Sequence, residues 1–241
     1  DYAEAHNNLG ATLKELGRLD EALASYTQAI ALKPDYAEAH NHLATTLQEL
    51  GKLDEAEASY RQALLLKQDY ADAYYNLGFT LKELERLDEA EVSYTQAIAL
   101  KPDYAEAHYN LGITLQELGR LDDAEASFRQ LIILKPDYLE AHYNLGKTLN
   151  QLGRLDEAEA SLRQTITLKL DYAEAHGNLG NTLQELGRFE EAEVSCRQAI
   201  ALKPGYALAH SNLGFTLNSM GSRESALKHF EINLQLKRGI N

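Results

Sequence analysis

The stretch Asp103–Pro136, DYAEAHYNLGITLQELGRLDDAEASFRQLIILKP, is the unit from which the whole chain is built. Displaced by 34 residues, the sequence falls on itself. DYAEAH recurs at Asp1, Asp35, Asp103 and Asp171, with close variants at Asp69, Asp137 and Gly205. Seven copies occupy 1–34, 35–68, 69–102, 103–136, 137–170, 171–204 and 205–238 without insertion or deletion, and 239–241 remain as a tail. A period of this length marks a solenoid, in which each unit buries its apolar face only against its neighbours.

Within the unit the apolar pattern predicts two helices. Ala107, Leu111, Leu115 and Leu118 recur at helical spacing over 105–118. Asp103 and Glu106 stand as a capping box before them. Gly119 ends the helix where a left-handed residue is needed. The second helix is expected to start at Asp122, again capped, and to carry Ala124, Phe128, Leu131, Ile132 and Leu134 until Pro136 stops it. Irregularities are expected at Glu85, which lacks the terminal glycine, and at Gln68 and Leu170, which replace the proline.

The first copy reads His6-x2-Leu9-Gly10-x2-Leu13, then Ala22-x3-Tyr26, then Pro34. This resembles the tetratricopeptide-repeat family, and the resemblance covers the full chain. It departs at Leu43-Ala44, and at Leu162 and Cys196, where a ring is usual. The EAHxNLG and LDEAxxSY blocks are most similar to the superhelical arm of O-linked N-acetylglucosamine transferases and their bacterial relatives. The resemblance implies an all-α fold, an α-solenoid of seven 34-residue helix-turn-helix repeats forming a right-handed superhelix. It further implies that first helices line a concave groove through repeat positions 4, 7, 8, 11 and 15, and that the groove binds polypeptide.

Charge narrows the partner. The net charge is −14, but residues 1–204 hold 35 acidic and 19 basic side chains (net −16), while 205–241 hold two and four (net +2). An acidic body argues against a nucleic-acid partner, whose phosphates need cations, and favours neutral or basic protein or peptide. Apolar runs are too short for a membrane span. No signal peptide is visible, so a cytoplasmic location is expected. The chain begins at a repeat boundary without Met, which reads as a piece of a longer protein.

Catalytic and cofactor chemistry finds no constellation. Cys196 is the single cysteine and stands at a core position. Gly146-Lys147-Thr148 imitates the end of a phosphate loop, but Ala141 stands where that motif needs glycine, and the tripeptide falls inside a helix. His6, His40, His108, His142, His176 and His210 form a ladder one repeat apart, too widely spaced to share a metal ion and placed for packing. No metal, no cofactor and no enzymatic activity are expected.

The copies differ where the groove should be. Position 8 is asparagine in Asn8, Asn76, Asn110, Asn144, Asn178 and Asn212, with His42 expected to face the groove in the second copy. An amide both donates and accepts, as the backbone of an extended peptide requires. The alternative is an asparagine bonded within its own repeat. Position 7 brings Tyr75, Tyr109 and Tyr143, and position 11 brings Phe79, Ile113 and Lys147. The candidate site is therefore Asn76, Asn110, Asn144, Asn178, Tyr75, Tyr109, Tyr143, Phe79, Ile113 and Lys147, with an extended peptide along repeats three to five. Truncating these tyrosines is expected to leave the array folded. Two further functions stay open: an arm recruiting substrate to a larger enzyme, and end-to-end self-association through Ile232, Leu236 and Ile240.

Overall fold

The computed structural model describes residues 2–239. Asp1 and Ile240 lie outside the described residues, so the cap expected at the former and the contact expected at the latter go with them. The described residues form fourteen helices and no strand. The first helices of the copies are α1 (Tyr2–Glu15), α3 (Ala37–Glu49), α5 (Ala71–Glu83), α7 (Ala105–Glu117), α9 (Leu139–Gln151), α11 (Ala173–Glu185) and α13 (Ala207–Ser219). The second helices are α2 (Leu19–Leu32), α4 (Leu53–Leu66), α6 (Leu87–Leu100), α8 (Leu121–Leu134), α10 (Leu155–Leu168), α12 (Phe189–Leu202) and α14 (Arg223–Arg238). This is an all-α repeat solenoid.

The chain divides into two compact units, Asp1–Gly119 and Arg120–Asn241. In the first, α1 packs on α2, α3 on α4 and α5 on α6, and each second helix packs on the next first helix. Neighbouring first helices also touch (α1 with α3, α3 with α5, α5 with α7), whereas α2, α4 and α6 do not touch one another. The first helices thus form the inner side of this unit. In the second unit α9 meets α11 and α11 meets α13, while α8, α10, α12 and α14 stay apart, so the same side is inner there too.

The helix pairs close on a glycine, replaced in the second copy by the fully buried Ala44. A β-carbon at Gly10 would stand 2.7 Å from the Tyr26 ring, and one at Gly78 would stand 2.8 Å from Tyr94. Leu162 and Cys196 take the ring's place against Gly146 and Gly180 and are fully buried. Burial pushes the Cys196 thiol up to about 12, which leaves it an inert apolar side chain. Gly146-Lys147-Thr148 lies within α9, as its position requires. In every copy a threonine follows two residues after the glycine position and donates to the carbonyl four residues back, as Thr114 does to Asn110 at 2.8 Å.

The helix ends differ from expectation in three ways. The capping boxes do not form: Tyr104 is the N-cap of α7 and makes no side-chain cap bond. Arg120 is the N-cap of α8, so Asp122 lies inside the first turn. The acids act there through the helix dipole, and Arg120 binds Asp123 at 2.8 Å. Second, Glu85 takes the left-handed conformation itself, φ 59°, and α5 ends at the usual place. Third, α4 and α10 also end at the usual repeat position despite Gln68 and Leu170. Their C-cap lysines, Lys67 and Lys169, donate backbone N–H four residues back as elsewhere, so the turn does not depend on proline.

The junctions between copies are built from small repeated devices. The lysine before each turn lies over the tyrosine three residues on, with Lys101 4.4 Å from the Tyr104 ring centre. The histidine ladder packs on the same turns: His40, His108, His142, His176 and His210 bond through Nε2 to the carbonyls of Pro34, Pro102, Pro136, Leu170 and Pro204 at 2.7–3.0 Å. On the outer side, Glu57 binds Arg61 and Arg86, which both reach Glu89. Glu159, Arg163, Arg188 and Glu191 repeat this network in the second unit.

Candidate functional site

In the first unit, Tyr75, Asn76 and Phe79 lie on α5 and Tyr109, Asn110 and Ile113 on α7, two neighbouring helices of the inner side. Phe79 is 38% exposed, and Asn76, Tyr109, Asn110 and Ile113 are half-buried. Tyr75 is deeper: its ring centre lies 4.9 Å from that of Tyr104 and 5.9 Å from that of Tyr94. Asn110 Nδ2 donates to the Tyr75 hydroxyl and to the Glu106 carbonyl, both at 3.1 Å. Burial, followed by the Glu106 charge, raises the Tyr75 pKa, so the hydroxyl stays protonated.

In the second unit, Asn178 Nδ2 donates to the Tyr143 hydroxyl at 2.9 Å. The Tyr143 ring lies 5.0 Å from Tyr172, and burial first among the causes pushes its hydroxyl up to about 12. Lys147 Nζ stands 5.6 Å over the same ring. Lys147 and Asn178, with Gly146, Asn150, Gln151 and Leu162, line a hollow of about 180 Å³. Asn144 is buried and donates to the Glu140 carbonyl at 2.9 Å.

These contacts correct two expectations. Tyr75 and Tyr143 belong to the packing between copies, because each fills the space beside the next copy's leading tyrosine and accepts its asparagine. Truncating them is therefore expected to lower the stability of the array. His42 is half-buried and spends its Nδ1 on Asn7 Oδ1 at 2.9 Å, with burial and then Lys14 lowering its pKa. In the sixth copy Gly177 stands in place of the tyrosine, and the Tyr206 ring fills the room it leaves, 2.7 Å from where a β-carbon would be; Asn212 donates to the Gly177 carbonyl instead. The asparagine ladder therefore makes bonds inside the protein at Asn110, Asn144, Asn178 and Asn212. Such a tie could have been anticipated from tyrosine and asparagine recurring exactly one repeat plus one residue apart.

A second kind of concavity was not anticipated. Slots open on the outer side between successive second helices, floored by the ladder position of the first helix. One of about 620 Å³ includes Leu65, Gln68, Tyr74 and Val92. Two others, of about 390 and 370 Å³, include His142 with Ile133, and His176 with Val194. The signal in the sequence was the large apolar residue at Leu65, Val92, Ile133 and Val194, where several copies have alanine.

Family models for the tetratricopeptide repeat match residues 10–51, 46–85 and 80–119, then 111–169 and 173–206. The chain belongs to the tetratricopeptide-repeat family. No curated protein matches the sequence. Among solved structures, the chain is similar to YrrB, described as a TPR protein with an unusual peptide-binding site. The TM-score is 0.72 at 27% identity, covering 76% of this chain and 95% of YrrB. It is similar to MamA with TM-score 0.64 and 26% identity, over 68% of this chain and 95% of MamA. PilF of Pseudomonas aeruginosa shares the fold, with TM-score 0.70 and 20% identity over 86% of this chain and 95% of PilF.

Tetratricopeptide-repeat proteins are, as a family, protein-interaction modules rather than catalysts. No described helix is long and apolar enough to cross a membrane.

Proposed function

We propose that the protein is a non-catalytic scaffold that holds an extended, neutral-to-basic peptide segment of a partner protein on its first-helix side. The observation that carries this reading is Phe79, a large apolar side chain left 38% open on the inner side while the framework around it is buried. In the first unit the peptide-contacting residues are Phe79, Ile113, Tyr109, Asn76 and Asn110. In the second they are Lys147, Asn178 and the half-buried Tyr143. The peptide-binding site named for YrrB supports the reading. So does the net charge of −14, which favours basic partners by attraction that salt weakens.

The test is selection from a peptide library on the wild type and on the Phe79→Ala, Ile113→Ala double variant. These two changes avoid the packing tyrosines. Peptides selected by the wild type should lose about 1–2 kcal/mol of binding to the variant. Undiminished binding, or selection of acidic peptides, rejects the proposal.

Leu9 favours a second reading, self-association. It is 49% exposed, whereas its equivalents Leu77, Leu145, Leu179 and Leu213 are buried under the preceding second helix. At the other end Ile232 and Leu236 are half-buried. A second copy seated on Leu9 would complete the repeat junction. Light scattering across a concentration series should show a mass increase that Leu9→Glu removes; a constant monomer mass in the wild type rejects this reading.

A further inference from the structure

The last copy holds a pair of imidazoles that no other copy has. His210 Nδ1, from α13, lies 3.0 Å from His229 Nδ1, from α14. The ring centres are 5.3 Å apart and the planes differ by 31°. His210 is buried and His229 half-buried. The other copies carry serine at the His229 position: Ser25, Ser59, Ser93, Ser127, Ser161 and Ser195. One replacement has therefore turned a histidine that packs on its turn into half of a pair.

The hydrogen bonds fix the protons. His210 Nε2–H donates to the Pro204 carbonyl at 2.9 Å, so in the neutral ring Nδ1 keeps its lone pair. That lone pair then accepts from His229 Nδ1–H. A ring N–H tied to a backbone carbonyl, with the other nitrogen bare, is how metal-binding histidines are held.

We propose that His210 and His229 form a two-imidazole binding site for a divalent transition-metal ion, best matched by Cu2+. Two nitrogens bound at 2.0–2.1 Å and at right angles to one another lie about 2.9 Å apart. The observed 3.0 Å fits that cis arrangement. Binding moves one proton: neutral His229 gives up the hydrogen on Nδ1 and takes one on Nε2 through solvent, with no net release. The half-buried His229 ring turns until both lone pairs converge on the ion, and water fills the remaining positions. Arg197 and Lys228 stand close enough to act on His229, and both oppose a bound cation. Arg197 is itself paired with Glu193 at 2.7 Å, which reduces its repulsion of the ion.

The full chain is titrated with Cu2+ and followed by electron paramagnetic resonance and thermal denaturation. His229→Ser, which restores the residue of the other copies, is the comparison. The wild type should bind one ion with two-nitrogen hyperfine structure and gain thermal stability. The variant should bind more than about tenfold more weakly, without that signature. Equal affinity and identical spectra in the two proteins would overturn the site. Ring-proton NMR of the wild type decides independently of how the variant folds. Substoichiometric Cu2+ should broaden His210 and His229 before the other six histidines; broadening elsewhere first counts against it.

Discussion

Tyr75 shows how one side chain serves both fold and surface. Its ring packs on Tyr104 and its hydroxyl accepts from Asn110, so it ties adjacent copies together. Tyr75→Ala should cost roughly 1.5–3 kcal/mol in urea unfolding through lost burial. Tyr75→Phe should cost about 0.5–1.5 kcal/mol, the worth of one hydrogen bond. Equal stability of all three proteins would remove Tyr75 from the framework. Glu85 is a second instructive residue, holding φ at 59° where the other turns have glycine. A left-handed conformation costs a side-chain-bearing residue roughly 1–2 kcal/mol, and glycine's extra unfolded-state entropy offsets part of the relief. Glu85→Gly should therefore stabilise by about 0.5–1 kcal/mol, read as a higher urea midpoint. A lower midpoint would mean that the Glu85 side chain makes a contact worth more than the strain.

At the scale of the element, the sequence disclosed helix number and pairing because each rests on a residue type with one physical use. Gly10 opposite Tyr26 and Gly146 opposite Leu162 are of this kind. Capping was misread because Asp103 and Glu106 fit either a cap or a first-turn charge, and composition does not distinguish them. The asparagine ladder was legible as a ladder, and its bonds only as a spacing of one repeat plus one residue, since Asn110 and Asn178 find their tyrosines 35 residues away, on another helix. The outer ion networks were likewise hidden, needing two helices placed side by side. Glu57 and Glu159 make them testable. Burial works to raise each carboxylate's pKa, but the hydrogen bonds and charges of Arg61 and Arg86, or Arg163 and Arg188, prevail and lower it. A carboxylate with a lowered folded-state pKa contributes stability above its unfolded pKa. That contribution disappears as pH falls through the lowered value. The Glu57→Gln, Glu159→Gln protein should be less stable than wild type at neutral pH, by up to about 1 kcal/mol per site. The two stabilities should converge in acid below the ordinary carboxylate range. A gap that persists unchanged there would contradict the assignment.

For the whole molecule, the central claim is that the first-helix side, where Phe79 and Ile113 vary the pattern, receives the partner. The outer slots at Leu65, Val92, Ile133 and Val194 are the competing surface. Both sides carry apolar groups and side-chain amides, Gln68 among them on the outer one, so the choice rests on Phe79 and Ile113, where the inner side departs from the repeat. The most direct measurement is methyl and side-chain amide NMR of the chain titrated with a library-selected peptide. The account predicts shifts at the Ile113 methyls and the Asn76 and Asn110 amides, or at Asn178, with Leu65, Val92, Ile133 and Val194 unmoved. Shifts confined to those four outer residues would contradict it.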